Sequence, residues 1–443
     1  AAQGVVVVSI NYRLGALGFM WCEGGDANCG LWDAVRALEW TQENILQFNG
    51  DPSNVTIGGE SAGAGATACL VASPVANKLF HRAIAMSAVA HSTDDEATAK
   101  MKTGQFASSL GLSSADLNAF QEPAADLILR TQGGLADQAP EQDFVIAMST
   151  PGWSGPKLEH LRLSHEPASD SGIHYIQKGR GGPVRVHGFS PCVDGELLPA
   201  HPLDLISQGS ASLIDLMVGS NREENGFRAD KSDPEISAAL TYGAKVETWE
   251  DVEKRAAWFF MGYGPLKSNG GGEGVAKRLV ESYRVSEAAG SGAAEEGTPQ
   301  HVWNRLASDM SFNASTVMLV SRQSKHNPGN TYAYRFDGFN RRNAFHGWEL
   351  GLFFGTLYNT SDEHARSLAD SMRQHLTNYM KSGDPNADTL SPQWPTWGQG
   401  ESSETAMYFD RAGNEVDQYR NRASSISTVI DLIDTVFFHE SKT

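Results

Sequence analysis

Apolar positions along this chain follow two rhythms. Short continuous runs of the kind that fill strands buried on both faces of a parallel sheet occur at residues 5–10 (Val-Val-Val-Val-Ser-Ile), 55–57, 82–87 and 214–219. A fifth strand is predicted at residues 331–336, where Tyr332, Tyr334 and Phe336 alternate with Ala333 and Arg335. The second rhythm is helical. Leu31, Val35, Leu38 and Ile45 share one face of a helix predicted over residues 31–46. Helical patterning also covers much of residues 93–147, the stretch after residue 219 through Trp258 and Val280, the segment from Leu350, and a terminal amphipathic helix at residues 429–438. Between these lie turns at Asp51-Pro52-Ser53 and Gly383-Asp384-Pro385-Asn386, a polar surface excursion at residues 149–187 and a low-complexity loop at residues 287–299. Strand and helix alternate, which predicts an α/β protein with a mostly parallel central sheet, read as one domain over residues 1–443.

The chemistry concentrates at one corner of this pattern. The strand at residues 55–57 passes through Gly58-Gly59-Glu60-Ser61-Ala62-Gly63 into an Ala-rich helix former, the strand-to-helix hand-over of a nucleophile elbow. A serine standing clear of the sheet needs strained backbone, with small residues two before and two after it where strand and helix pass; Gly59 and Gly63 occupy those places.

Composition narrows the partners. A chain of 443 residues, 40% hydrophobic, can bury a large core, while a formal net charge of −18 without a Lys/Arg cluster argues against nucleic acid or an anionic membrane. No apolar run approaches the roughly 18 residues of a membrane span. Of four cysteines, Cys22 and Cys29 bracket a short Gly/Asp/Asn loop, which predicts a disulfide; Cys69 and Cys192 read as separate buried thiols. No metal is expected, because no Cys or His partner sits at ligand spacing. Sequons at Asn54, Asn313 and Asn359, with the expected disulfide, point to a secreted glycoprotein.

A serine hydroxyl needs a base, and the base an acid that fixes its tautomer. Among 13 histidines, His346 is the one in a Phe-His-Gly loop just past a candidate strand. The acid belongs in a loop after a strand, and residues 218–224 offer Glu223 and Glu224 side by side; spacing alone does not choose between them.

Several longer stretches carry a resemblance: Val-Ser-Ile-Asn-Tyr-Arg-Leu-Gly (8–15), Gly-Leu-Trp-Asp (30–33), Gly-Asp-Pro-Ser-Asn-Val-Thr-Ile-Gly-Gly-Glu-Ser-Ala-Gly-Ala (50–64), Val-Asp-Gly-Glu-Leu-Leu-Pro (193–199), Gly-Ser-Asn-Arg-Glu-Glu (219–224) and Phe-His-Gly-Trp-Glu-Leu (345–350). In this order they resemble the motifs of the type-B carboxylesterase/cholinesterase-like family, over nearly the whole chain. The resemblance implies an α/β-hydrolase fold and a cofactor-free serine carboxylic-ester hydrolase for small-molecule esters, working through an acyl-enzyme. It implies Ser61 as nucleophile, Glu224 as triad acid, His346 as general base and the backbone N–H of Ala62 as an oxyanion donor. It also implies a structural Arg13–Asp33 pair, a part for Glu60 in the electrostatics of the pocket, and a solvated Glu223.

Three departures qualify the match. Gly58 stands where an aromatic is usual, Asn225 stands where Gly is common, and the His-Gly-Gly-Gly-type loop that supplies further oxyanion donors has no counterpart upstream of Val5. One such donor is worth about 2.7–4 kcal/mol of transition-state stabilisation. The expectation is therefore of a chain that opens in mid-fold without the first strands of the sheet, poorly active as it stands. A catalytically incompetent fragment and a cholinesterase-like binding or adhesion protein are the competing readings.

Overall fold

The computed structural model describes residues 3–121, 189–224, 246–261, 271–290, 297–338, 344–355, 362–388, 390–398, 404–410 and 414–418, with single residues in 123–128 and 426–430. The surface excursion expected at residues 149–187, the sequon at Asn359, Asn225 and most of the expected terminal helix lie outside them.

A six-stranded sheet organises the chain. Strands β1 (Thr56–Glu60), β2 (Arg82–Met86), β3 (Asp215–Asn221), β4 (Thr331–Gly338) and β5 (Thr405–Asp410) are parallel and lie side by side in chain order, and β6 (Glu415–Gln418) runs antiparallel on β5. Every parallel crossover returns the chain to the same end, so all five carboxyl termini share one edge of the sheet.

The sheet is covered on both faces, as its apolar composition requires. On β3, Leu216 and Val218 join one buried cluster while Met217 joins another; on β2, Ala83 and Ala85 face the first and Ile84 and Met86 the second. The two-residue repeat of the strands thus sorts neighbouring side chains between two cores. The larger core is built with helices α1 (Cys29–Asn44), α2 (Ala62–Ala72), α4 (Pro202–Ser207), α5 (Trp249–Met261), α6 (Gly271–Gly290), α7 (Pro299–Ser308) and α8 (Ala314–Ser324), while α3 (Glu96–Ser109) places Phe106 and Ala107 in a small third cluster. The smaller core lies beneath α9 (Trp348–Phe353) and α10 (Glu363–Ser382). Local chemistry sets their ends: Asp362 accepts from the N–H groups of His364 and Ala365 to start α10, and Gly383 at φ 83° stops it. A buried face of this kind contributes roughly 1.5–3 kcal/mol for each large aliphatic side chain it removes from water.

Four sequence-based expectations change. Residues 5–10 form no strand: Val6, Val7, Val8 and Ile10 are exposed, and no backbone hydrogen bond joins them to β1. A cavity of about 420 Å³, lined among others by Val5, Val8, Ile57, Gly63 and Leu70, lies between this segment and β1. A β-branched run without a ladder partner has propensity but no strand. Strands β5 and β6 were not foreseen, and residues 287–290, expected as loop, extend α6 to Gly290.

Cys22 and Cys29 do not form the expected disulfide; both thiols are free. Cys29 opens α1 with its Sγ 3.2 Å from the Asp26 carbonyl oxygen, and Cys22 is buried against Gly25. Burial pushes both thiols above their ordinary range, Cys29 in spite of nearby Arg13. Cys69 and Cys192 are buried thiols as expected, each pushed up to about 12, mainly by burial. The sequon at Asn313 is closed to a glycan in the folded chain, because that side chain is buried and its amide donates to Asp309 Oδ1 at 2.6 Å. Asn54 also uses its amide internally, toward the Lys381 carbonyl oxygen at 3.1 Å.

Candidate active site

At the carboxyl end of β1 the chain turns through Ser61 at φ 59°, ψ −118° and enters α2 one residue later. Left-handed φ is costly for a non-glycine residue, of order 1–3 kcal/mol, and it persists where the surroundings impose it. Here the Ser61 N–H donates to the Met86 carbonyl oxygen at 2.9 Å and the Ser61 carbonyl accepts from Gly65 N–H at 3.0 Å, pinning both sides of the corner. Gly59 is indispensable to the turn, since a Cβ there would fall 2.4 Å from the backbone of Gly63. Gly63 itself has open space where a Cβ would go, so the close approach constrains one glycine of the pair and not the other.

Ser61 Oγ lies 2.8 Å from His346 Nε2, and His346 Nδ1 lies 2.6 Å from Glu224 Oε2. The histidine follows β4 and the glutamate follows β3, so three strand ends supply one linear array. Glu224 is fully buried, while Glu223 is half-buried and contributes its backbone N–H to the Ala344 carbonyl oxygen. The carboxylate that faces the imidazole is therefore that of Glu224, the residue that spacing alone left paired with Glu223.

The array is braced. Ser87, just past β2 and at φ 54°, donates its hydroxyl to Glu224 Oε1 at 2.6 Å, and the backbone N–H of Asn221 donates to the same oxygen at 2.6 Å. The Phe312 ring packs against the imidazole, with centroids 4.4 Å apart and the planes tilted by 34°. Phe312 sits in a π-helical turn, Asp309–Asn313, between α7 and α8. Such turns insert a residue into a helix and re-aim its neighbours, often at functional sites. The sequence reading missed Ser87, Asn221, Phe312 and Glu349; position at the carboxyl end of a strand was the available signal for the first two.

Electrostatically the site is a histidine among carboxylates. Glu60 Oε1 lies 3.2 Å from His346 Nε2. Burial pushes Glu60 up to about 6, with nearby His346 opposing and Glu224 reinforcing the shift. Burial disfavours the imidazolium of His346, but the hydrogen bond and charge of Glu224, with Glu60 and Glu349, outweigh it and raise its pKa to about 9. Ala62 is the first residue of α2, so its N–H has no acceptor within the helix and is available to an oxyanion beside Ser61. Arg13 and Asp33 pair in a bidentate contact, with Nε and Nη2 at 2.8 and 2.7 Å from the two carboxylate oxygens, partly exposed. Among the described residues no group of His, Cys, Asp and Glu could hold a metal, and no helix is long and apolar enough to cross a membrane.

A parallel sheet with helices on both faces and a Ser-His-Glu array on its carboxyl edge defines an α/β-hydrolase. The chain belongs to the carboxylesterase family, whose sequence profile matches residues 1–425. It is 28% identical over 421 residues to carboxylesterase 1D of Rattus norvegicus, covering 90% of this chain and 64% of the rat protein. It is 26% identical over 425 residues to the para-nitrobenzyl esterase of Bacillus subtilis, covering 92% of this chain and 70% of that enzyme. Among solved structures, a thermophilic para-nitrobenzyl esterase superposes with a TM-score of 0.65 at 25% identity, over 95% of this chain and 72% of its own. The Geobacillus stearothermophilus carboxylesterase EST55 does so with a TM-score of 0.66 at 24% identity, over 94% and 74%. The chain therefore spans somewhat less than two thirds of the rat relative and rather more of the bacterial ones.

Proposed function

We propose that this protein is a serine carboxylic-ester hydrolase. The observation that carries the reading is the continuous contact from Ser61 Oγ through His346 to Glu224, at 2.8 and 2.6 Å, on a serine held at positive φ. His346 Nε2 takes the Ser61 proton as the oxygen attacks the ester carbonyl, Glu224 stabilises the imidazolium, and the Ala62 N–H donates to the oxyanion. His346 then protonates the leaving alcohol, and water, deprotonated by the same imidazole, releases the acid from the Ser61 ester. The substrates are small-molecule esters, and no step needs a metal or cofactor.

A fluorophosphonate probe followed by peptide mass spectrometry tests the assignment. Label should appear on Ser61 and vanish in Ser61→Ala, together with hydrolysis of p-nitrophenyl acetate. Label on another serine, or undiminished turnover in the variant, would remove Ser61 from the mechanism. A folded protein that takes no label would favour the binding-protein reading.

A further inference from the structure

Three carboxylates, Glu60, Glu224 and Glu349, surround His346, and the proposed reaction leaves Glu349 without a task. Glu349 is completely buried on α9, three residues beyond the histidine. Its hydrogen-bond partner is Asn221, the last residue of β3, also completely buried. Asn221 spends every donor it has on this region. Its backbone N–H goes to Glu224 Oε1 at 2.6 Å, and its side-chain amide goes to the Phe345 carbonyl oxygen at 2.6 Å and to Glu349 Oε2. One residue therefore ties the acid, the residue before the histidine and the helix after it.

Two acceptors stay unmatched: Asn221 Oδ1 and Glu349 Oε1 are both buried without a hydrogen-bond partner. A buried acceptor left unsatisfied has lost its water and gained nothing in exchange. A single proton on Glu349 removes both deficits, because a carboxylic acid and a carboxamide close a ring of two hydrogen bonds, N–H to one carboxyl oxygen and O–H back to the amide oxygen.

We propose that Asn221 and Glu349 form a positioning clamp in which Glu349 is carried as the neutral acid, its O–H donating to Asn221 Oδ1, and that this clamp fixes Glu224 against His346. The charge balance agrees: burial, reinforced by the charge of Glu224 and opposed by the Asn221 hydrogen bond, pushes Glu349 up to about 8. Neutral Glu349 completes the hydrogen bonds without adding a further negative charge beside Glu224 and Glu60. The clamp rests on the hydrolase reading for its purpose, but its geometry is testable without turnover.

The test compares wild type with Asn221→Ala, Glu349→Ala and Glu349→Gln. Wild type should show a protonated-carboxyl C=O stretch at pH 7 by isotope-edited infrared spectroscopy, and a low-field proton resonance from His346 Nδ1–H. Glu349→Gln should lose the infrared band yet keep the resonance and kcat within about threefold, because a carboxamide offers the same donor–acceptor pair; both alanine variants should lose the resonance and drop kcat about tenfold or more at nearly constant KM. No protonated-carboxyl band, or Gln as damaging as Ala, would overturn the clamp. If Asn221→Ala fails to fold by circular dichroism, the Glu349 pair decides alone. Spectroscopic results as expected, with no ester turnover in wild type, would uphold the clamp and sink the hydrolase reading.

Discussion

At the scale of the residue, the site is governed by how many negative groups share one imidazole. A general base acts in its neutral form, so a pKa raised to about 9 means that kcat/KM for a neutral ester should climb with pH through that region. Glu60→Gln removes one of the charges that favour the imidazolium, so the climb should shift toward lower pH. A pH–rate profile of both proteins checks the sign, and an unmoved limb would show that Glu60 does not face the titrating histidine. Ser61 and His346 were legible because each lies in a short local signature. From spacing Glu224 was legible only as one of a pair, and the family resemblance chose it, since backbone direction rather than spacing decides which carboxylate turns inward. Ser87 and Asn221 were marked only by their place at the carboxyl end of a strand, because Ser87 meets Glu224 137 residues further on and the Asn221 amide meets Phe345 124 residues further on.

At the scale of the element, the elbow turns on one close contact. Gly59→Ala drives a Cβ into the backbone of Gly63, where nothing can swing aside, and should cost at least the upper end of the roughly 1–3 kcal/mol typical of overpacking. Gly63→Ala meets open space inside a helix and should be neutral or stabilising by up to about 1 kcal/mol. Thermal melts should show a clear loss for Gly59→Ala and none for Gly63→Ala; equal losses would mean that the helix cannot accept a side chain there. The central strands were legible because their apolar runs are continuous. The run at residues 5–10 reads equally well as a strand, but a strand is a pairing and only its own half is written in those residues. The π-helical turn that aims Phe312 leaves no periodic signature, because it interrupts the helix for a single turn.

At the scale of the whole molecule, the sheet has an unpaired edge at β1 among the described residues, beside four exposed aliphatic side chains. Such edges template association. Replacing Val7, which is 65% exposed, with Lys should lower light scattering in concentrated solution while leaving stability within about 0.5 kcal/mol. Unchanged scattering would place the sticky surface elsewhere. The proposed nucleophile and its base are 285 residues apart, and the base and its acid 122, so no part of the array is local. Those separations should make assembly of the proposed triad a late event in refolding, since loops of that length must close before Ser61 can meet its partners. Helical circular dichroism should recover first after dilution from denaturant, and reactivity toward a fluorophosphonate only after a measurable lag.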